Sequence, residues 1–517
     1  MSEIDPVELE LMRHLFESAA EEMGIILQRC SFSANIKERR DFSCAIFDAS
    51  GALLAQAAHI PVHLGSMPQS VAACLKKLGT LSEGDVAIVN DPFNGGTHLP
   101  DITIVSPIYL RGELLGYAAN RAHHADIGGI SPGSMPLSHH IDEEGVRIEP
   151  TLLRSRGVPD ESLIFRILKT GGVRSSDQLR GDLDAQLAAN LAGGRAMIRM
   201  TESCGIEMVR RYGAALLDYS AAFMSRLLDS MPRGKWRFED VLDDPRARIV
   251  ASIQLDGRRA IVDLTESADK TDDCLNCPQA VTQSAVYYCF ACLLEEQVPL
   301  NAGCFRNIDV LTRPGSLVHA LYPAAVAAGN TETSQRIVDV VLGALAQAMP
   351  DRIPAASCGS MSSLAIGGQG WSYYETVGGG SGAGPGYAGE SAVQCHMTNT
   401  LNTPAEALEM QYPLRVLRFE RRPGSGGNGT HAGGDGIIRE IQVKESCAGT
   451  ILSTRRSSRP YGLAGGQPGS AGKNQATSRI GPEQDLPGMA QFKLVAGEVI
   501  RIATPGGGAW GESASSD

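Results

Sequence analysis

The sequence predicts an α+β, multidomain protein whose mixed sheets are interrupted by a helical segment and end in a β-rich C-terminal region. Three observations carry that expectation. At 517 residues the chain exceeds one ordinary core, since domains run to about 150 residues. Apolar periodicity shifts along it between strand-like and helical spacing. Its 58 glycines are well above the usual share, implying many tight loops.

The periodicity divides the chain into an α+β domain over residues 1–159, a helical region over 160–235, a mixed α/β region with a glycine-rich loop over 236–420, and a β-rich region over 421–517. Residues 6–29 read as a helix, with Leu11, Met12, Leu15, Ala19, Met23, Ile26 and Leu27 at helical spacing. Strand signals follow at Phe42–Phe47 and Asp85–Val89. Asp182–Asn190 and Tyr212–Asp218 are the clearest pieces of the helical region, which Pro232 and Gly234 close. Strands resume at Ala247–Ile253 and Arg259–Asp263, and helices are expected over 279–296 and 332–348. The glycine-dense stretch 366–390 contains Trp371, Tyr373, Tyr374 and Glu375, which favours an ordered loop near a site over a flexible linker. Gly436–Val443 and Glu498–Ala503 are the best strands of the last region.

The functional signal lies between two of the N-terminal strands. Seven of the eleven histidines fall between residues 59 and 140. His98 and Asp101 precede a run rich in β-branched residues, Asp101–Tyr109; a second strand-like run, Glu113–Asn120, leads to His123 and His124. A tight turn at Arg111-Gly112 pairs Leu110 with Glu113 and, counted back, Asp101 with Ala122. Imidazoles and carboxylate then meet at one end of a hairpin. Three such ligands with an open position suit a catalytic divalent ion. Successive strand residues face opposite ways, so only one of His123 and His124 is expected to serve. A strict hairpin favours His124 and a single bulge favours His123; His98 joins the set only if Pro100 breaks the pleat.

Composition narrows the alternatives. A net charge of −12 argues against a nucleic-acid binder. The acidic N-terminus lacks the pattern of a signal peptide, and no run of about 18 apolar residues is present, so a cytoplasmic protein without a membrane span is expected. Twelve cysteines in so long a chain are too sparse for a disulfide scaffold. Cys274-x-x-Cys277 and Cys289-x-x-Cys292 imitate a zinc ribbon, but the second pair sits in an apolar helical run and reads as buried small side chains. The glycine patterns at 384–389 and 506–511 lack the strand or helix of a dinucleotide fold, and 469–474 lacks the spacing of a phosphate loop. Gly129-Ile-Ser-Pro-Gly133 matches a nucleophile elbow only as a string, because Pro132 has no N–H to offer an oxyanion.

Several segments together resemble the hydantoinase B/oxoprolinase family, the metal-bearing subunits of ATP-dependent hydantoinases, oxoprolinases, lactamases and acetone-type carboxylases. They include Arg39–Cys44, His59–Met67, Asn90–Asp101, Ala122–Gly129, Gly329–Arg336, His396–Asn399 and Thr504–Gly508. The resemblance implies a divalent ion held by His98, Asp101 and one of His123 and His124, with Asp41 a further ligand or neighbour; such a ligand set accepts zinc, manganese or iron. It implies a separate hydantoinase A type subunit that binds ATP and phosphorylates the amide, hence a hetero-oligomer whose small-molecule substrate is a cyclic amide. Asp126 and Glu144 are the candidate proton acceptors. The segment Ser138–Gly145 departs from the family pattern at His139 and His140, which puts the substrate pocket in question. Two other readings compete: a core subunit of an acetone- or acetophenone-type carboxylase, and a scaffold for the ATP-binding partner with no chemistry of its own.

Overall fold

A computed structural model of the chain describes residues 4–57, 60–169, 172–294, 298–477 and 483–513. His59, one of the clustered histidines, lies outside the described residues.

The first helix, Pro6–Cys30, shows how the local sequence selects its element. Asp5 caps it by accepting from the Val7 and Glu8 amides, and Pro6 occupies the first turn, where a missing N–H costs nothing. Its buried stripe is Met12, Phe16, Ala19, Ala20, Met23 and Leu27. Leu11 and Leu15, expected in that stripe, stay on the exposed side. Phe16, one position further on, is the residue that fills the interface.

This helix and the Ser176–Cys204 helix pack together on one face of a seven-stranded sheet. In spatial order its strands are Leu53–Gln56, Phe42–Asp48, Glu113–His123, Asp101–Leu110, Val86–Val89, Thr151–Ser155 and Val158–Pro159. Each neighbouring pair is antiparallel. The His63–Leu78 helix covers the other face. Phe42, Cys44 and Ile46 therefore point into one core, and Ala45 and Phe47 into the other. Burial on both faces explains why Phe42–Phe47 carries no polar alternation.

The segment expected to be helical forms three helices, Glu161–Lys169, Ser176–Cys204 and Ile206–Ser230. Beyond it a four-stranded sheet runs Ile308–Leu311, Ala260–Asp263, Arg248–Leu255, Gly234–Val241. The last of these strands was not anticipated: Lys235, Arg237 and Glu239 alternate with Trp236 and Phe238 on a largely exposed edge. The Ser334–Ala348 helix packs on this sheet and against Gln279–Ala291. Two C-terminal sheets follow, one of four strands around Ser363–Gly368 and Cys447–Leu452, one of five around Gly436–Val443 and Val499–Ala503. They share a core through Leu364, Ile366, Ile451, Ile437, Ile441 and Ile500. The glycine-dense stretch is ordered, and its hairpin, Ser363–Gly368 with Trp371–Glu375, reaches back to the N-terminal sheet. No helix among the described residues is long and apolar enough to cross a membrane.

Candidate metal centre

The register of one hairpin decides which histidine meets Asp101. Arg111 and Gly112 both have positive φ, 53° and 80°, the conformation of a tight two-residue turn of the kind that matches strand twist. Leu110 pairs with Glu113 and Tyr109 with Leu114, as a strict hairpin demands, but Ile108 pairs with Gly116. Leu115 is an extra residue, a β-bulge, and every later pair is displaced by one. Asp101 consequently faces His123 rather than Ala122. Gly116 admits no side chain, because a Cβ there would lie 2.1 Å from the carbonyl oxygen of Phe47 on the next strand.

At the far end Pro100 does break the pleat. The strand begins at Asp101, and the Asp101 amide donates back to the His98 carbonyl at 3.1 Å, which folds His98 onto its own carboxylate neighbour. His98 Nε2 is 3.4 Å from Asp101 Oδ2, and the His98 and His123 rings are 4.9 Å apart. One ligand atom from each of His98, Asp101 and His123 lies within 4.8 Å of the others. All three side chains are buried at 2% exposure or less.

Electrostatics prepare these groups for a cation. Burial alone would raise the Asp101 carboxyl, but His98 and His63 beside it hold it well below the usual carboxylate range. Burial, followed by the nearby His98, pushes the His123 imidazole well below its ordinary value, so it is neutral and able to donate a lone pair. Asn35 Nδ2 lies 3.0 Å from His123 Nδ1, and the Tyr374 ring stacks on the imidazole at 4.6 Å. These contacts fix the ring with its other nitrogen free. Asp101 Oδ1 and His123 Nε2 have no hydrogen-bond partner. Unpaired buried polar atoms are rare in native proteins, and here two of them belong to one potential ligand set. The donor set therefore fits a divalent ion.

The other expected residues fall around this cluster. His124 points away, its Nε2 3.0 Å from Gln186 Oε1 on the Ser176–Cys204 helix. Asp41 is close enough to feel Asp101 and His98, and burial pushes its carboxyl up to about 6 against the opposing pull of Arg39; its backbone carbonyl accepts the His123 amide. Glu144 is buried near His98. Its Oε1 accepts from the Ser138 hydroxyl at 2.7 Å and from the Val326 and Ala327 amides, while Oε2 has no partner. Burial raises its carboxyl to about 7. Asp126 is instead engaged on both oxygens, by Arg174 at 2.8 Å and by the Gly128 amide at 2.6 Å. His139 is exposed and lies against the Asp272 carbonyl; His140 caps a short turn at Asp142. Neither joins the cluster.

Sequence reasoning missed four contributors. His63 links Ser43, 2.8 Å from its Nδ1, to Asp101, 3.4 Å from its Nε2. Asn35, Asn330 and Tyr374 each approach a histidine of the cluster from a distant segment. Three of them left a signal without being assigned: His63 is one of the clustered histidines, Tyr374 lies in the glycine-dense stretch expected to form an ordered loop near a site, and Asn330 lies in the family-like segment Gly329–Arg336. The four cysteines of the imitation zinc ribbon take no part in the cluster; Cys274, Cys277 and Cys289 are buried, whereas Cys292, expected to be buried with Cys289, is exposed at the end of its helix.

Fold and site together define a protein built around a buried two-histidine, one-carboxylate cluster at the end of a long hairpin. The chain belongs to the Hydantoinase B/oxoprolinase family, which it matches over residues 5–513. It is 40% identical over 536 aligned residues to 5-oxoprolinase 1 of Arabidopsis thaliana, covering 98% of this chain and 42% of that protein. It is 30% identical over 543 residues to a Pseudomonas chain named as the B component of a D-/L-hydantoinase, covering 99% and 90%. The ATP-dependent caprolactamase from Pseudomonas jessenii has the same fold, with a TM-score of 0.92 at 27% identity over 99% of this chain and 92% of that one. The chain spans about two fifths of the length of the 5-oxoprolinases it matches.

Proposed function

We propose that the chain is the metal-dependent catalytic part of an ATP-dependent cyclic-amide hydrolase, which opens a hydantoin, 5-oxoproline or related lactam ring together with a separate ATP-binding subunit of the hydantoinase A type. The observation that carries this reading is the His98, Asp101 and His123 cluster with Asp101 Oδ1 and His123 Nε2 unpartnered. The names of the relatives supply the reaction class, and the caprolactamase supplies the dependence on ATP. A second subunit is supported by the name of the hydantoinase chain, which is one component of its enzyme and is covered over 90% of its length. Several glycines in the runs that imitate nucleotide loops are packed on backbone: a Cβ on Gly507 would lie 1.9 Å from the Ser381 carbonyl oxygen, one on Gly389 2.2 Å from the same oxygen, and one on Gly469 2.5 Å from the Gly506 carbonyl oxygen. ATP handling is accordingly assigned to the partner.

A zinc, manganese or iron ion held by His98, Asp101 and His123 would supply Lewis acidity, lowering the pKa of water and polarising the carbonyl. The remaining roles belong to the chain itself. Asn35 and Tyr374 orient His123. Asp41 keeps its backbone contact with His123 and balances Arg39 beside the site. Glu144, with one oxygen tied down and the other free, is the candidate to accept the proton from attacking water. Asp126 is less suited, since Arg174 and the Gly128 amide already occupy its oxygens.

The test is elemental analysis of the purified chain beside His98→Ala and Asp101→Ala, followed by ring-opening assays with the ATP-binding subunit. Near-stoichiometric metal lost in both folded variants, with lactam turnover lost in step, is the expected result. Wild type that holds no metal after reconstitution ends the metal-dependent reading, and variants that turn over normally leave the scaffold reading in its place.

A further inference from the structure

Asn330 is a buried carboxamide beside the cluster that the roles above leave unused. It sits in a π-helical turn, Gly329–Thr333, that runs directly into the Ser334–Ala348 helix. Such turns are rare and concentrate at functional sites because they redirect one side chain from within a helix. The backbone here has no freedom to drift. A Cβ on Gly329 would lie 1.9 Å from the Asn276 carbonyl oxygen, and the Gly329 amide donates to the Cys274 carbonyl at 2.8 Å. On the other side the Ser334 hydroxyl donates to the Asn330 carbonyl at 2.5 Å. The side chain is 4% exposed. Its Nδ2 is 3.4 Å from both ring nitrogens of His98, so it is committed to neither, and its Oδ1 has no partner.

A rigid, buried carboxamide with a free acceptor and a loosely held donor is complementary to one chemical group above others. In a small ring an amide is forced cis, so its N–H and C=O lie side by side, and an Asn side chain presents an acceptor and a donor at matching separation. We propose that Asn330 reads the amide edge of the ring: Oδ1 accepts the ring N–H, which an O-phosphorylated amide keeps in its protonated form, and Nδ2 donates to the amide oxygen, which brings the scissile bond alongside His98. The preferred substrate class is thus a cyclic amide with a free N–H at the bond that is cut. The same stretch of chain supports this placement, since the Val326 and Ala327 amides hold Glu144 with its Oε2 free. A site whose polar groups need a substrate N–H penalises an analogue lacking it far more than a site that merely makes room for it.

This inference rests on the cyclic-amide reading, and its test separates the two. The assembled complex with the ATP-binding subunit is assayed on 5-oxoproline, hydantoin and ε-caprolactam, and on the counterpart of each methylated at the scissile nitrogen. Wild type is expected to favour the N–H form by about a hundredfold or more in kcat/KM. Asn330→Ala is expected to bring that ratio to within about threefold of unity while binding metal as wild type does. Asn330→Asp, of the same shape, keeps the acceptor and loses the donor; it retains the preference for N–H while kcat/KM falls on both forms. Failure of wild type to open any of the rings removes the cyclic-amide reading and this inference with it. Turnover with the N–H preference intact in Asn330→Ala overturns this inference alone.

Discussion

Asp101 and Glu375 are both buried carboxylates, 2% and 0% exposed, yet they end in opposite chemical conditions. Glu375 is paired on both oxygens by Arg439, at 3.0 and 3.2 Å, and also accepts from the Tyr373 hydroxyl at 2.9 Å and Asn402 at 3.0 Å. Burial raises its carboxyl, but Arg439, Asn402 and Tyr373 together outweigh that and the net effect is downward. Its charge is fully answered inside the protein. Asp101 is crowded on one oxygen by Thr97, His63 and His98 and has nothing on the other. One centre is closed and holds sheets together; the other is built to receive something. Burial and charge alone do not distinguish them. The count of unanswered polar atoms does.

The comparison breaks most sharply at Asp101. Asp101→Ala should abolish metal binding and lower ring opening by at least about a thousandfold, or about 4 kcal/mol of transition-state stabilisation, while the metal-free protein loses measurably less stability than Glu375→Ala causes, since no buried guanidinium is left unpaired. A large loss of apo-protein stability would mean that Asp101 resembles Glu375 after all. Glu375→Ala should do the reverse, costing about 3–5 kcal/mol of folding stability by leaving Arg439 buried and unpaired; metal per folded molecule should stay at the wild-type ratio, as measured after separating aggregated material. Asn35→Ala tests the support of the open centre, with metal affinity expected to fall about tenfold to a hundredfold in competition against a chelator. Unchanged affinity would show that Tyr374 alone orients His123. The exposed Lys77–Glu149 pair, 2.8 Å apart with both side chains about half exposed, provides the lower bound. Lys77→Ala is expected to cost under about 1 kcal/mol by thermal denaturation and to leave metal content alone.

What could be read from the sequence follows from how local each feature is. His98, Asp101 and the His123-His124 pair were legible because one turn joins the two strands that carry them. The choice between the two histidines was not, because Leu115 looks like any strand residue and its bulge exists only through pairing. Gly116 was the available clue, since a glycine inside a strand often marks a bulge or a close backbone approach. Asn35, Asn330 and Tyr374 stand 88, 232 and 251 positions away from the histidines they touch, and no periodicity reports such contacts. Much of the secondary structure followed from hydrophobic spacing. The Gly234–Val241 strand escaped because its outward residues are charged and its inward ones only half-buried.

The bulge at Leu115 gives the hairpin a parity. Its turn at Arg111-Gly112 is separated from Asp101 by a ten-residue strand, about 30 Å of extended chain. Exposed turns are where chains ordinarily absorb insertions and deletions without harm. Here a single residue gained or lost on either arm would leave the turn well formed and invert the far end, exchanging His123 for a neighbour that faces the opposite side of the sheet. Length, more than the identity of the intervening side chains, is therefore the heritable quantity in this stretch.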